Sequence, residues 1–493
     1  MKLRAAPPSF KDTRLDEDRE HPLDRPLRLW QAELLGVCSV IAFHLAHLPG
    51  MVGALVLFYM GLWMCAMRWP RAGRYAFYGG IVFGLGLYVP QLSFFWTIFG
   101  AGAIALWLVL AVFVGLFFML ARTISVVYGM GWAAILAPFL WTGIEFFRSE
   151  LYYLKFSWIT TGYAVAHEEN MAWLLAPGAY GLGFILMALV TAVFSAWRRP
   201  LVAVVSVALG VGLFFGLNAF NSSLPVAEPR LLRVAGMQME FPVIKQVIRS
   251  LDALVKAYPD AELLVLSEYT LDGAPPDLLK KWGKQTQRYL VLGGKEPVPE
   301  GGFYDMGYVI DPEGNVVFRQ GKSVPIQFFN DGRPAEKQEV WNSPWGKLGI
   351  CICYDLSYTR VVDRLVRQGA EALIVPTMDL ESWGLYQHKL HARVAPTRAA
   401  EAGIPIFRVA SSGFSQLVDR HGKVLAEAPM PGGDAMIAGV LELRGAGRVP
   451  PDRWLCWACS AIAIVAFWVL GIRLWDNRFR SATMEDDIED LRR

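Results

Sequence analysis

The sequence predicts an α+β membrane protein, in which a helical membrane domain carries one polar domain of alternating strands and helices. Three observations predict it. Charged residues make up 18% of the 493 residues and apolar ones 54%, whereas a soluble domain is nearer a quarter charged. The apolar residues pile up in the first 220 positions and again at 453–475, with the charges concentrated between. That polar block alternates β-branched runs with helical patterns, as a sheet covered by helices does. With 47 basic against 44 acidic residues, the net charge of +3 gives no basis for a nucleic-acid partner, and 13% aromatics exclude a disordered chain.

A membrane span needs about 20 apolar residues. Tyr75–Ala121 carries no charge over 47 residues, so it reads as two helices turning near Trp96–Gly102. Ser125–Ile144, Met171–Trp197, Pro200–Phe220 and Trp454–Ile472 are further uncharged stretches of 19 to 27 residues. Leu34–Met67 holds only His44 and His47 as titratable groups and breaks at Pro49-Gly50. The expectation is eight spans at about 29–48, 51–67, 76–95, 101–121, 125–144, 171–197, 200–220 and 454–472. Residues 1–28 mix acids with bases and read as a solvated tail rather than a cleavable signal.

Orientation follows from the Lys/Arg asymmetry of short loops. With the N-terminus inside, the cytoplasmic pieces, including the tail 476–493, hold eighteen basic residues against two, Arg148 and Lys155, in the short loops opposite. Both termini are then cytoplasmic, and the polar block faces outward, into the periplasm of a two-membrane bacterium.

Within 231–444, strands are expected at Leu231–Met237, Leu263–Ser267, Tyr289–Gly293, Met306–Ile310, Leu348–Cys353, Ala372–Pro376 and Ile404–Val409. Helices are expected at Pro242–Tyr258, Tyr358–Gln368 and Tyr386–Gly403. Of six cysteines, Cys38, Cys65, Cys456 and Cys459 lie in spans, where a cysteine acts as a small apolar residue. Cys351 and Cys353 remain, in a strand that stops at a polar turn and opens a helix. A nucleophile at such an elbow is exposed, and backbone N–H groups there can bind an oxyanion. Cys353 sits at the elbow; Cys351 is two residues deeper in the strand, a core position. Upstream, the apolar run Leu263–Ser267 ends on Glu268, and Lys322 follows Arg319-Gln-Gly. Taken singly, Glu268 is a solvent turn and Lys322 a loop lysine. Together with Cys353, at separate strand ends of one sheet, they form a chemical set. The carboxylate takes the thiol proton, and the ammonium lowers the thiol pKa and faces the developing oxyanion. No metal-ligand cluster or phosphate-cradling glycine loop is visible, so neither metal nor cofactor is expected.

The order Glu268, Lys322, Cys353, with the last in Ile-Cys353-Tyr354-Asp355, resembles the nitrilase (carbon–nitrogen hydrolase) superfamily. Such a domain set before a last membrane helix and behind seven others is similar to the apolipoprotein N-acyltransferase family of bacterial inner membranes. Leu140-Trp141-x-x-x-Glu145-Phe-x-Arg148, Phe156-Ser-Trp158 and Gly162-Tyr163 resemble that family's loop after the fifth helix. Asp379-x-x-x-Trp383, Gln387-His388, Arg398-Ala-Ala-Glu401 and Asp419-x-x-Gly422-Lys423 match its pattern after the cysteine. The resemblance implies an αββα sandwich with Glu268 as base, Lys322 as oxyanion and thiolate stabiliser and Cys353 as nucleophile. It further implies a phospholipid acyl donor, a thioester on the cysteine, and a diacylglyceryl-modified lipoprotein as acceptor, both met among membrane lipids at the outer face. Tyr354, Asp355, Trp383 and Trp158 are implied as supporting residues, and Glu145 and Arg148, which are spaced to pair on one helical face, as the membrane-side floor of the site.

Two departures stand out. Lys322-Ser-Val-Pro325-Ile-Gln327 is shorter than the family's segment and puts Gln327 where a carboxylate is expected, with Asp331 or Glu336 as substitutes; Asp355 replaces a glutamate. Two other functions share the triad or its fold: a membrane-anchored amidase that discharges its thioester to water, and a catalytically silent lipoprotein-binding relative.

Overall fold

The computed structural model describes residues 25–169, 171–196, 200–223, 227–430 and 433–490. Most of the expected tail 1–28 lies outside the described residues, as do Arg198, Arg199, Arg492 and Arg493 of the orientation argument.

The N-terminal part is helical: α1 (Leu29–Ala46), α2 (Ala54–Arg68), α3 (Arg74–Gln91), the short α4 (Phe94–Phe99), α5 (Gly102–Val127) and α6 (Met130–Phe146). A π turn, Phe147–Leu151, prolongs α6. Then come two single turns, α7 (Thr161–Ala164) and α8 (Met171–Leu174), before α9 (Ala179–Ala196) and α10 (Pro200–Ser223). Among the described residues four helical stretches are long and apolar enough to cross a membrane: Leu29–Ala46, Gly102–Val127, Met130–Leu151 and Asp452–Arg473. Small residues let these helices touch. A Cβ on Gly80 of α3 would lie 2.7 Å from the Cα of Gly115 on α5, so backbone packs on backbone there.

Two span boundaries differ from expectation. Arg122 does not end its helix, because its Nη1 donates to the Met67 carbonyl (3.2 Å) and Ser125 Oγ (3.0 Å); the break falls at Gly129, whose φ of +90° suits glycine. The expected span 171–197 is divided. Its chain turns at Gly178 (φ +96°), and Asp452 Oδ2 accepts from the N–H groups of Tyr180 and Gly181, both 3.1 Å, capping α9 from a distant segment. A hydropathy window contains no signal for a cap that arrives from the far end of the chain.

The polar block folds as two six-stranded sheets. The first has the order β12-β1-β2-β3-β4-β5, built from β1 (Arg230–Met237), β2 (Leu263–Leu266), β3 (Tyr289–Pro297), β4 (Phe303–Ile310), β5 (Val316–Gly321) and β12 (Met436–Leu443). The second has the order β11-β10-β9-β8-β7-β6, from β6 (Val340–Ser343), β7 (Gly346–Ile350), β8 (Ala372–Thr377), β9 (Ile406–Ala410), β10 (Ser415–Val418) and β11 (Val424–Ala428). Inner faces meet through Val234, Val265 and Val291 on one side and Ile350, Ile374 and Phe407 on the other. Outside the first sheet lie α11 (Ile244–Ala257) and α12 (Asp277–Thr286), packed by Val247, Leu251, Leu279 and Trp282. Outside the second lie α13 (Thr359–Arg367) and α15 (Val394–Ala402), packed by Leu365, Val394 and Ala399. The result is a four-layer αββα sandwich. The last helix, α16 (Asp452–Asp490), extends well past the expected 454–472.

Seven strands were expected and twelve are present among the described residues; the five additions, β5, β6, β10, β11 and β12, lie towards sheet edges. Edge strands alternate polar with apolar residues too loosely to stand out. The expected helix 386–403 is two, α14 (Leu385–Ala392) and α15, broken at Arg393. The strand expected to run to Cys353 stops at Ile350.

Candidate active site

β1–β3 run parallel in one sheet and β7–β9 in the other. Chemistry in such sheets collects at the carboxyl ends of the strands. Glu268 follows β2, Cys353 follows β7 and Met378-Asp379 follows β8, so the topology alone brings three reactive segments together. Lys322 arrives from the end of β5.

The Glu268, Lys322 and Cys353 side chains do meet, all but fully buried. Lys322 Nζ donates to Glu268 Oε1 at 2.7 Å, and Glu268 Oε2 accepts the Met378 N–H at 2.6 Å. Cys353 opens a 3₁₀ turn, Cys353–Ser357, with φ at +48°, a conformation rare for a side-chain-bearing residue. Its Sγ–H donates to the Met378 carbonyl at 3.5 Å. Cys351 stays in the strand core, its N–H paired with the Ile374 carbonyl at 3.1 Å.

The lysine's surroundings correct one expectation. Gln327 is not its partner: half-buried, it lines the cavity and donates to the Tyr153 carbonyl at 3.2 Å. Asp331 takes the place, with Oδ2 at 2.7 Å from Nζ, Oδ1 accepting the Tyr269 hydroxyl at 2.8 Å and Oδ2 the Ile326 N–H at 2.6 Å. Asp305, absent from the sequence argument, stands 3.5 Å from Nζ. Glu268, Asp305 and Asp331 form a set able to hold a cation, and the cation they surround is the lysine's own ammonium.

These charges set the protonation states. Burial would lower the Lys322 pKa, but Asp331 and Glu268 overcome it and hold the ammonium charged. Glu268 has burial against it and is nonetheless held below its usual value, chiefly by Lys322. Burial and the neighbouring Glu268 push Asp305 well up. As a neutral acid it can donate to Glu268, which gives a partner to one of its two carboxyl oxygens, both otherwise without a hydrogen bond among the described residues. Burial and Glu268 also push the Cys353 thiol well up, against the pull of Lys322. The ammonium expected to lower the thiol pKa is already paired with Glu268 and Asp331, both at 2.7 Å, so its pull does not outweigh burial and Glu268, and the thiol keeps its proton with a base beside it.

Asp355 ties the nucleophile turn to the lysine's loop, accepting the N–H groups of Ser323 (3.0 Å) and Val324 (2.7 Å). Tyr354 donates its hydroxyl to the Lys155 carbonyl at 3.3 Å. Trp158 donates from Nε1 to Ser357 Oγ at 2.8 Å. Glu145 and Arg148 make no ion pair with each other within 4.0 Å. Arg148 Nη1 instead donates to the Phe156 carbonyl at 2.9 Å, with its guanidinium over the Tyr88 ring, while Glu145 Oε2 has no hydrogen-bond partner among the described residues. Neither lines the cavity; Arg148 reaches it only through Phe156, which does.

That cavity opens on Cys353. Its walls are overwhelmingly apolar: Phe95, Ile98 and Phe99 from α4, Leu106 and Leu110 from α5, and Phe329 from the loop after Lys322. Trp158, Tyr354, Trp383 and His391 complete it around the sulfur. His391 was missed in the sequence. It lies three residues beyond the Gln387-His388 pair, and only the helical turn of α14 reveals that it faces the cavity.

Two family models match the chain: the carbon-nitrogen hydrolase model over residues 250–440 and the apolipoprotein N-acyltransferase N-terminal domain over residues 35–193. An apolipoprotein N-acyltransferase of Allorhizobium ampelinum is 27% identical over 482 residues, covering 80% of this chain and 87% of that protein. A formamidase of Bacillus thuringiensis is 29% identical over 153 residues, 27% of this chain and 46% of that enzyme. Saccharomyces cerevisiae Nit3, of the nitrilase superfamily, aligns with a TM-score of 0.38 at 22% identity over 43% of this chain and 90% of its own. The formamidase likeness is confined to about a quarter of the chain, whereas the acyltransferase likeness spans the helical part and the sandwich alike. The matched pair of domains, a carbon–nitrogen hydrolase domain behind an N-terminal helical domain, is that of apolipoprotein N-acyltransferases, and the chain is similar to that family over most of its length.

Proposed function

We propose that this membrane protein transfers a fatty acyl chain from a phospholipid, through a thioester on Cys353, to the N-terminal amine of a diacylglyceryl-cysteine lipoprotein. The observation that carries this reading is the apolar cavity, lined by Phe95, Ile98, Phe99, Leu106 and Leu110 of the helical part, in which Cys353 stands. A soluble amidase needs no such wall, and an acyl chain buried along it gains about 0.8 kcal/mol per CH₂.

In the first half-reaction Glu268 takes the thiol proton as Cys353 Sγ adds to the ester carbonyl carbon. Lys322, facing the same point, stabilises the oxyanion. Collapse breaks the C–O bond, and the lysophospholipid alkoxide leaves with the proton from Glu268. In the second, the acceptor amine adds to the thioester and the C–S bond breaks. Asp331 keeps the ammonium in place, Asp355 fixes the turn that presents the sulfur, and Tyr354, Trp383 and Trp158 shape the cavity mouth. Splitting one hard transfer at a thiol gives two easier ones.

The topology proposed with this function has a helical domain at 29–220 with seven spans, the sandwich at 231–444 and an eighth span at 454–475. The termini are cytoplasmic and the sandwich periplasmic in a bacterial inner membrane. The Lys/Arg asymmetry supports it, as does the need for both lipid head groups to lie at one face.

The test is acyl transfer in two stages. Full-length protein in detergent is incubated with phospholipid carrying a radiolabelled acyl chain, then given a diacylglyceryl peptide with a free N-terminal cysteine. Label held on Cys353 and discharged to the peptide as an amide is expected. Label passing to water at the same rate with or without peptide would make the protein a hydrolase, and no label on protein would make it a binding relative.

A further inference from the structure

The first half-reaction has a base in Glu268, but the second begins with a substrate that is itself protonated. An α-amino group has a pKa of about 7.7–8.0, so near neutral pH most of the acceptor arrives as an ammonium that cannot attack. Glu268 is an ionised carboxylate tied to Lys322 and Met378, and its task in this half-reaction is to pass a proton to the departing sulfur, so a second group has to take the ammonium's first proton.

Across the cavity stands a group that can. His391 lines the same cavity as Cys353. Its Nδ1 lies 2.7 Å from Asp379 Oδ1, and Arg408 Nη2 donates to Asp379 Oδ2. Burial would raise the Asp379 pKa, but His391 and Arg408 overcome it and hold the group ionised. Arg408 Nη2 also lies 3.0 Å from Nδ1, but the contact with the carboxylate is the shorter and an ionised Asp379 can only accept, so Nδ1 carries the proton and Nε2 keeps its lone pair. No described residue hydrogen-bonds Nε2. One ring face is stacked on Trp158, 4.6 Å between centroids at 14°, which fixes the plane of the imidazole. Burial, with Arg408 and His388 adding to it and Asp379 opposing, keeps the ring neutral at physiological pH. A carboxylate holding an imidazole in one tautomer, with the free nitrogen turned toward a nucleophile, is the arrangement that makes histidine a general base.

We propose that His391, oriented by Asp379, is the base for the acceptor amine; the inference rests on the acyl-transfer reading above. Nε2 takes one proton from the acceptor ammonium. The freed nitrogen adds to the thioester carbonyl carbon, forming the C–N bond, with the oxyanion facing Lys322. Collapse breaks the C–S bond. The nitrogen's second proton passes through Glu268 to the departing sulfur, which regenerates the thiol, and the imidazolium returns its proton to water.

The test separates the two half-reactions. His391→Asn retains an N–H donor for Asp379 and removes the basic nitrogen, so a merely structural histidine would be rescued by it. In His391→Asn, discharge to the diacylglyceryl peptide is expected to slow by about 10²–10⁴-fold, far more than the acylation of Cys353 measured in the same preparation. The wild-type discharge rate should lose an acidic limb, lying below the ordinary imidazole value of about 6.5, when the histidine is replaced; the limb from the acceptor's own amine should remain. Discharge at the wild-type rate in His391→Asn, with acylation intact, overturns the role of His391. Failure of the wild-type protein to form any thioester would instead overturn the acyl-transfer reading. Should His391→Asn not fold, His391→Gln, measured the same way, decides the question.

Discussion

Cys353 takes a left-handed backbone conformation that a strand would not impose, and Cys351, two residues earlier, does not. The contrast predicts that Cys353→Ala forms no thioester, whereas Cys351→Ala is still acylated and shows only a loss of core packing in thermal unfolding. Lys322→Met is expected to lose most transfer activity in the two-stage assay. It should also cost about 3–5 kcal/mol of stability, because it leaves Glu268 and Asp331 buried without their counter-charge. Asp331→Asn should weaken activity far more than Gln327→Ala, since Asp331 holds the ammonium and Gln327 bonds the Tyr153 carbonyl instead. Glu268 and Cys353 were legible because each follows an apolar run, whereas Lys322, after Arg319-Gln-Gly, stood out only by its place between them. Asp305 was not, because it opens a strand and looks like a solvent-facing start; only the pairing of β4 with β5 turns it toward Lys322. Gln327 misled because sequence spacing was followed where the chain turns back at Phe328, whose φ is +71°.

Among the secondary elements, buried charges fasten the sandwich to the helices directly behind the nucleophile turn. Glu150, on the π turn after α6, accepts the Thr359 N–H at the start of α13, 3.2 Å away. Arg398 on α15 donates to the Ser357 carbonyl at 2.6 Å and pairs with Glu401. Arg453, opening α16, bonds Asp363 on α13 at 2.9 Å and Glu401 at 3.3 Å. Removing one partner strands the others, so Arg398→Ala should destabilise by about 3–5 kcal/mol, read by chemical or thermal unfolding in detergent. Burial works against the Glu401 carboxylate, but Arg453 and Arg398 overcome it and hold its pKa at about 2. A carboxyl held below its unfolded value of about 4.3 adds stability that is complete above that pH and lost as pH falls toward the folded value. Wild type and Glu401→Gln should therefore differ most in Tm near neutral pH and converge below pH ~4. A gap that stays constant to pH ~3 would contradict this. Helix existence was legible from apolar runs, while the division of the expected span 171–197 was not, because its cap is Asp452.

At the scale of the whole molecule, the account rests on a nitrilase-type sandwich seated so that its cysteine opens into a cavity walled by membrane helices. If the sandwich is periplasmic, a cysteine introduced at exposed Glu313 should react with a membrane-impermeant maleimide in intact spheroplasts, and one in the C-terminal tail should not until the membrane is opened. The converse pattern would invert the proposed topology. The most direct measurement of the central claim is the intact mass of the protein during a single turnover. After exposure to phospholipid, wild type should gain the mass of one acyl group, Cys353→Ala none, and the gain should vanish when a diacylglyceryl peptide is added while an equal amount of N-acylated peptide appears. An acyl group retained in Cys353→Ala, or one lost at the same rate without peptide, would contradict it.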